Sequence, residues 1–252
     1  MMAFMEMHFT SQVLDLSVSV NVLVPDDIQE GEKLKVLYLL HGYMGNHTDW
    51  VRYTSIERYL WNHRMIVVMP SAMNSYYADM VYGMPFFTFI SKELPQYMER
   101  LLPISQQRDD RYICGLSMGG YGAFKVALTH PESFSYAGSL SGALDVESVR
   151  KLMKDTPRSK LYDAMFGNHQ IQGSPNDLFH LVDTNIQNNQ KMPHLYMACG
   201  TEDFLYQDNL NFKQHLLSHH VDFTYVEGPG DHSWAFWDHY ILKFLEHIKK
   251  GR

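Results

Sequence analysis

The segment Gly115-Leu116-Ser117-Met118-Gly119-Gly120 follows the short apolar run Tyr112-Ile113-Cys114 and precedes a helix-like stretch at residues 121–128. Its G-x-S-x-G spacing is typical of a sharp turn between a strand and a helix, where only glycine tolerates the close approach of the backbone. A serine at the centre of such a turn presents its hydroxyl above the sheet. We therefore predict that Ser117 is a nucleophile, with a base and an orienting acid later in the chain.

Short apolar runs alternate with helix-like segments along most of the 252 residues. Such runs are typical of strands buried on both faces of a parallel sheet, and the alternation predicts an α/β fold with helices on both faces. Near the N-terminus, alternate valines from Val18 to Val24 predict antiparallel strands with one solvated face. The predicted strands are residues 36–40, 65–69, 112–114, 136–140, 195–199 and 223–226, and the predicted helices are residues 55–62, 88–102, 121–129, 209–218 and 234–249.

The length of the chain suits a single domain over residues 1–252. Residues 145–189 are unusual because they are polar and contain Gly167, Gly173 and Pro175. We expect this segment to be a small insertion of short helices and loops that covers the active site.

Candidate partners for Ser117 occur in two loops that each follow a predicted strand. Asp203 comes directly after residues 195–199, and His232 lies in a glycine-rich loop between the last strand and the last helix. The order Ser117, Asp203, His232 is that of α/β-hydrolases, so we predict a catalytic triad of these residues. Glu202 is a competing acid, and Asp208 is a weaker one because it starts the following helix.

Two backbone N–H groups are needed to stabilise the negative charge that forms when the nucleophile attacks. Met118, the residue after Ser117, is one predicted donor. The second is Tyr43, in the loop after the strand at residues 36–40, where Gly42 permits a sharp turn.

Aromatic residues near these loops are numerous enough to form the wall of an apolar pocket. We expect such a pocket to limit the acyl chain of the substrate to a few carbon atoms. The same aromatic residues would also suit the hydrophobic core. The predicted pocket residues are His41, Gly42, Trp50, Tyr76, Tyr77, Phe86, Phe204 and Trp234.

Composition and motifs exclude several function classes. The net charge of −7 and the lack of a basic cluster argue against nucleic acid or an anionic membrane as a partner. No nucleotide-binding or zinc motif is present, and His219 and His220 are adjacent, so they would face different directions on a helix. We predict no cofactor and no metal. With two cysteines, no signal-like N-terminus and no long apolar run, we expect a cytoplasmic protein.

Over nearly its whole length the chain resembles the esterase D / tributyrin esterase group of α/β-hydrolases. The resemblance is to the streptococcal and lactic-acid-bacterial type, and S-formylglutathione hydrolases, feruloyl esterases and mycolyltransferases are related to this group. It implies Ser117 as nucleophile, Asp203 as acid and His232 as base. S-formylglutathione hydrolases usually carry a cysteine where this chain has Tyr43-Met44-Gly45. The matching motifs are Leu39-Leu40-His41-Gly42 through Asn46, Asp49-Trp50, Asn74-Ser75-Tyr76-Tyr77-Ala78-Asp79, Glu93-Leu94-Pro95, residues 115–123, residues 199–205 and Asp231-His232-Ser233-Trp234.

These observations predict a serine carboxylesterase that hydrolyses short-chain acyl esters, from acetyl to butyryl, through an acyl-enzyme on Ser117. The alternatives are a carbohydrate O-acetyl or feruloyl esterase, then an S-formylglutathione thioesterase, and last a non-catalytic binding module. The expected partner is a small-molecule ester, and the sequence leaves a homo-oligomer open.

Overall fold

An eight-stranded sheet runs through the part of the chain that the computed structural model describes, residues 1–251. Its strands are β1 (Met2–Ser11), β2 (Leu16–Pro25), β3 (Lys35–Leu40), β4 (Met65–Pro70), β5 (Arg111–Leu116), β6 (Tyr136–Leu140), β7 (His194–Gly200) and β8 (Phe223–Gly228). The spatial order is β1-β2-β4-β3-β5-β6-β7-β8. The first two strands pair antiparallel to each other, and β2 pairs antiparallel to β4; every other pair is parallel. The predicted mostly parallel sheet with antiparallel N-terminal strands is confirmed.

Helices connect the parallel strands and cover both faces of the sheet. In residues 1–251 they are α1 (Asp49–Tyr53), α2 (Ile56–Tyr59), α3 (Phe86–Thr88), α4 (Leu94–Leu101), α5 (Met118–Thr129), α6 (Val146–Leu152), α7 (Ser159–Phe166), α8 (Leu178–Gln187), α9 (Tyr206–Ser218) and α10 (Trp234–Lys250). A π-helical turn, Phe89–Glu93, joins α3 to α4, and 3-10 turns occupy Leu60–Asn62 and Arg108–Asp110. None of the helices described is long and apolar enough to cross a bilayer.

The helix after Ser117 begins three residues earlier than predicted. We expected it to start at residue 121, whereas α5 starts at Met118 and includes Gly119 and Gly120. Glycine is a poor helix former, so propensity alone moves the predicted start beyond these residues. Tertiary packing determines the start instead, because both glycines are buried in contact with neighbouring loops.

Alternate side chains of the central strands pack into two separate hydrophobic clusters, one on each face of the sheet. In β3, Val36 and Leu40 belong to the first cluster, whereas Leu37 and Leu39 belong to the second. The same period of two continues in β4. Both faces are therefore dry, as the apolar runs predict.

The solvated face predicted for the N-terminal strands is only partly present in β2. Ser17 is exposed at the start of the strand, but Asn21 and Leu23, on the same face, are buried. Leu23 packs in the second cluster with Trp50 and Ile56, so the helices after β3 cover this half of the strand.

The segment at residues 145–189 lies between β6 and β7 and contains α6, α7 and α8. Asp145 accepts a hydrogen bond from the Ser148 N–H and so caps α6, and Asp177 caps α8 in the same way. This segment, together with the loops after β3, β5, β7 and β8, surrounds the carboxyl ends of the parallel strands, where open α/β sheets place their ligands.

Candidate active site

Ser117 lies on a strained turn between β5 and α5. Its φ of 52° and ψ of −118° are unusual for a residue other than glycine, and such conformations persist where the surrounding structure enforces them. A Cβ at Gly115 would overlap the Gly119 backbone, and one at Gly119 would lie 2.5 Å from the Leu40 carbonyl oxygen. Glycine is therefore required at both positions, and the G-x-S-x-G spacing follows from how closely the turn packs.

The structure brings Ser117, His232 and Asp203 into one chain of hydrogen bonds. The Ser117 hydroxyl donates to His232 Nε2 over 3.0 Å. His232 Nδ1 lies 2.9 Å from Asp203 Oδ2 and 3.1 Å from Oδ1, which makes Nδ1 the protonated nitrogen and leaves Nε2 as the acceptor. This is the arrangement in which an imidazole can remove a proton from a serine hydroxyl.

Asp203 is held in place without exposure to solvent. Its side chain is fully buried, and Oδ1 also accepts a hydrogen bond of 2.9 Å from the Leu205 N–H. The two other candidate acids are engaged elsewhere. Exposed Glu202 accepts a hydrogen bond from the Gly230 N–H, which lowers its pKa, and Asp208 accepts one from the Ser148 hydroxyl.

Both predicted oxyanion donors lie beside Ser117 with their N–H groups free. Within residues 1–251, neither the Tyr43 N–H nor the Met118 N–H donates a hydrogen bond to the protein. Met118 opens α5, where the first N–H groups lack intrahelical acceptors and the helix dipole is positive. A Cβ at Gly42 would lie 2.5 Å from Leu116 Cδ1, so glycine lets the Tyr43 loop approach the serine turn.

His41 holds this loop and does not line the pocket, which corrects one expectation. The side chain is completely buried; Nδ1 donates to the Gly42 carbonyl over 2.7 Å, and Nε2 accepts from the Ala72 N–H over 2.9 Å. Burial lowers the pKa of His41 to about 4, so the ring is neutral at pH 7. These two bonds join the loop after β3 to the loop after β4.

Three further residues that we expected in the pocket pack in the core instead. Trp50, Tyr77 and Phe86 are buried, and none of the three lines the cavity above Ser117. The Trp50 indole donates to the Leu40 carbonyl over 3.1 Å, and the Tyr77 hydroxyl donates to the His41 carbonyl over 2.9 Å. These two side chains therefore position the backbone on either side of the His41 turn, while the wall of the site comes from other residues.

A cavity of about 770 Å³ opens above Ser117 and His232. This volume is in the range of small-molecule sites. Of the predicted residues, Gly42, Tyr43, Tyr76, Phe204 and Trp234 line it. The lining residues that the sequence analysis missed include Asn46, Asp49, Arg52, Tyr53, Val149, Met153, Arg158, Tyr162, Leu205 and Trp237.

The segment at residues 145–189 supplies part of this wall. The Tyr162 hydroxyl donates to the Tyr76 hydroxyl over 2.7 Å, and both residues line the cavity. The Arg158 guanidinium lies 4.7 Å from the centre of the Tyr43 ring, within range for a cation–π contact with the proposed oxyanion loop. No motif marks Tyr162 or Arg158 in the sequence; their one signal is that they belong to residues 145–189, which we expected to cover the active site.

The chain is similar in sequence to esterases. The model of the Esterase family, described as "Putative esterase", matches residues 11–248. An acetyl esterase from Caldicellulosiruptor saccharolyticus is 34% identical to this chain, and the alignment covers 99% of each protein.

Two solved structures from Staphylococcus aureus share the architecture over almost the whole chain. A fluorophosphonate-binding serine hydrolase F, in a substrate-bound form, superposes with a TM-score of 0.90 at 34% identity and covers 98% of both chains. An S-formylglutathione hydrolase superposes with a TM-score of 0.89 at 35% identity, covering 98% of this chain and 99% of its own. These similarities confirm the predicted α/β-hydrolase fold.

Proposed function

The chain belongs to the esterase family, and we propose that it hydrolyses short-chain acyl esters, from acetyl to butyryl, through an acyl-enzyme on Ser117. It is a serine carboxylic ester hydrolase. The observation that carries the proposed mechanism is the hydrogen-bonded chain from Ser117 Oγ through the His232 imidazole to the Asp203 carboxylate. A buried acid, an oriented base and a hydroxyl on a strained turn are what nucleophilic attack on an ester requires.

In the proposed first step, Ser117 Oγ attacks the ester carbonyl carbon while His232 Nε2 accepts the hydroxyl proton. The carbonyl oxygen becomes negatively charged and accepts hydrogen bonds from the Tyr43 and Met118 N–H groups. Asp203 stays ionised and stabilises the imidazolium. When the tetrahedral intermediate collapses, the ester C–O bond breaks and His232 gives its proton to the departing alcohol.

The second half returns the enzyme to its starting state. A water molecule takes the place of the alcohol, gives a proton to His232 Nε2 and attacks the acyl carbon. Collapse of this intermediate breaks the bond to Ser117 Oγ, which regains the proton from His232, and the carboxylic acid leaves. No cofactor enters either half.

The short acyl preference is supported by the relative with the acetyl esterase name and by the aromatic wall of the cavity. Tyr76 and Tyr162 are nearly inaccessible and linked by their hydroxyl groups, so they form a firm boundary on one side. The ring centres of Trp234 and Trp237 lie 5.2 Å apart, and these two rings form another side of the cavity near His232. Rings held in this way leave room for a small acyl group without rearrangement.

A thioester substrate is the second candidate, and a specific likeness favours it. The S-formylglutathione hydrolase from Staphylococcus aureus is 35% identical to this chain. Arg52 and Arg158 line the cavity and would suit a substrate that carries carboxylates, as a glutathione derivative does. Against it stands the segment Tyr43-Met44-Gly45, where such hydrolases usually carry a cysteine.

A substrate panel tests the proposal. We expect an acyl adduct on Ser117 by mass spectrometry when nitrophenyl acetate is mixed with the enzyme and quenched rapidly, and faster turnover of tributyrin than of acetylated xylan oligosaccharides, ethyl ferulate or S-formylglutathione. Faster turnover of S-formylglutathione than of every oxygen ester would replace the proposal with the thioester function. The Ser117→Ala variant serves as the control. The cytoplasmic location stays a prediction.

A further inference from the structure

Three side chains capable of binding a metal ion converge on the surface between α8 and α9. Asp183 belongs to α8, His215 belongs to the last turn of α9, and His219 is the residue that follows this helix. One ligand atom from each lies within 4.8 Å of the others. Asp183 Oδ1 is 2.8 Å from His215 Nε2 and 3.2 Å from His219 Nε2. None of the three lines the cavity above Ser117, so this cluster is separate from the active site.

The two histidines lie on one side of the C-terminal end of α9 because they are four residues apart. The same spacing presents two imidazoles to one zinc ion in helical zinc motifs. The adjacent pair His219 and His220 cannot face the same ligand, whereas His215 and His219 can. The third ligand, Asp183, belongs to α8, which lies next to α9 only in the folded chain. No local sequence pattern therefore connects Asp183 with the two histidines.

Packing orients the cluster before any ion binds. The His215 ring stands edge-on to Phe179, with ring centres 5.1 Å apart, and Phe179 is one helical turn before Asp183 on α8. Phe179 in turn stands edge-on to the fully buried Phe212, which is three residues before His215. These aromatic contacts fix α8 against α9 next to the three polar groups. The ligand side chains remain between 20% and 38% exposed, so an ion can reach them from solution.

Both imidazoles direct Nε2 at the same carboxylate oxygen, and their ring centres are only 4.7 Å apart. A single ion pair would engage only one of the two rings, whereas one cation can be bound by both imidazole nitrogens and the carboxylate oxygen together.

We propose that Asp183, His215 and His219 bind one Zn²⁺ ion, with water in the fourth position, and that the ion joins α8 to α9. Tetrahedral zinc with bonds of about 2.1 Å to nitrogen and oxygen separates neighbouring ligand atoms by about 3.4 Å. The observed separations of 2.8 Å and 3.2 Å need to open by about 0.6 Å and about 0.2 Å to reach this value. Neutral imidazole and carboxylate ligands suit Zn²⁺, and they favour it over Mg²⁺ or Ca²⁺, which prefer oxygen ligands.

The ion would stabilise the segment that forms part of the cavity wall. Residues 145–189, with α8 at their end, also supply Arg158 and Tyr162 to the cavity. An ion that binds α8 and α9 only in the folded protein shifts the unfolding equilibrium towards the native state. Since no ligand contacts Ser117 or His232, the ion stabilises the fold and takes no part in ester hydrolysis.

Zinc binding to the protein without a histidine tag tests this inference. Isothermal titration with Zn²⁺ should show one site per chain, and the unfolding temperature should rise on addition of Zn²⁺. The Co²⁺-substituted protein should show the visible absorption of a tetrahedral site. Each of His215→Ala, His219→Ala and Asp183→Asn should weaken binding by about tenfold or more and remove the thermal shift.

His220→Asn is the matched control, because it removes the neighbouring exposed imidazole at a position with a φ of 55°, which asparagine tolerates. This variant should bind Zn²⁺ as the unaltered protein does. Circular dichroism without metal verifies that the variants are folded, and the Co²⁺ spectrum of the unaltered protein gives a result that does not depend on them. Absence of a stoichiometric site, or equal binding by all three ligand variants, would overturn the inference. Ester hydrolysis is measured separately with the metal-free enzyme, so that a failure to bind Zn²⁺ and a failure of the proposed esterase function give different results.

Discussion

Ser117 Oγ and His232 Nε2 lie 3.0 Å apart although 115 residues separate them along the chain. In the sheet, β6 and β7 lie between the strands that precede these two residues. The loop after β8 must therefore reach across the ends of two strands, and Asp203, in the loop after β7, lies on that path and holds the imidazole. The rings of Phe204 and Trp237 both contact the imidazole, with centres 4.7 Å and 4.9 Å from its own.

Replacing the nucleophile should abolish turnover and leave the fold intact. Ser117→Ala removes the hydroxyl that donates to His232 Nε2. Loss of a nucleophile that acts as part of such a unit lowers kcat by roughly a million-fold. Hydrolysis of nitrophenyl acetate by purified protein measures the effect, and an unchanged thermal unfolding curve verifies the fold. Retention of more than a few per cent of the activity would show that another group is the nucleophile.

Two amide substitutions at adjacent positions distinguish the orienting acid from its neighbour. Asp203→Asn leaves the shape unchanged but favours the wrong imidazole tautomer, so we expect kcat to fall by about ten-thousand-fold. Glu202→Gln alters an exposed side chain that contacts the Gly230 N–H and should change kcat little. Steady-state kinetics of both variants with one substrate gives the ranking. If Glu202→Gln were the more damaging change, the assignment of the acid would be wrong.

The sequence predicts best those elements whose formation depends on residues that are close together along the chain. Apolar runs at residues 36–40 and 65–69 become strands because a sheet with two dry faces needs continuous apolar side chains. Ser117, Asp203 and His232 follow strands directly, and the carboxyl ends of parallel strands meet at one edge. The sequence was therefore sufficient to nominate these three residues, and the structure places them within hydrogen-bond distance.

The pocket could not be predicted in the same way, because it depends on which way each side chain turns after a strand. Tyr76 and Tyr77 are adjacent and chemically identical, yet Tyr76 lines the cavity and Tyr77 packs under it. Both have a positive φ, of 49° and 48°, a backbone conformation that aromatic residues rarely adopt and propensities do not foresee. Arg158 and Tyr162 reach the site through tertiary packing of the segment between β6 and β7, and no motif in the sequence marks them.

Stability should fall in mild acid because of His41. Its pKa in the folded protein is about 4, below the usual 6.5, because burial disfavours the imidazolium. Between these two values the unfolded chain binds more protons than the folded protein, so stability decreases as the pH falls from 6.5 to 4. Below about pH 4 His41 is protonated in both states, so the loss of stability that it causes is complete. A pKa shift of this size corresponds to a loss of about 3 kcal/mol in the free energy of unfolding.

His41→Asn should flatten this pH dependence, because an amide does not titrate in the window. The free energy of unfolding in urea is measured at pH values from 6.5 down to 4. The slope of this free energy against pH is compared between variants, so that a lower overall stability of one variant does not obscure the result. His239→Asn, at an exposed position on α10, is the control and should keep the slope of the unaltered protein. An unchanged slope in His41→Asn would show that its buried imidazole does not titrate as inferred.

The acyl-chain preference should depend on Tyr162. Nitrophenyl esters of increasing length should be hydrolysed fastest from acetyl to butyryl and slowly at octanoyl, because the linked rings of Tyr76 and Tyr162 bound the cavity. Tyr162→Ala removes one ring and should raise kcat/KM for the octanoyl ester relative to the butyryl ester. Deleting a buried aromatic side chain costs about 3–5 kcal/mol, so the rates are to be compared well below the unfolding temperature of the variant.

Tyr162→Phe is the matched control, since it keeps the ring and removes only the hydroxyl group that bonds to Tyr76. We expect it to keep the short-chain profile, which would assign the selectivity to the volume of the ring and not to the hydrogen bond. A profile that peaks at long chains in the unaltered enzyme would mean an open groove, and the short-acyl proposal would then be wrong. An unaltered short-chain profile in Tyr162→Ala would place this ring on the alcohol side of the ester, because a wall that does not touch the acyl group cannot select its length.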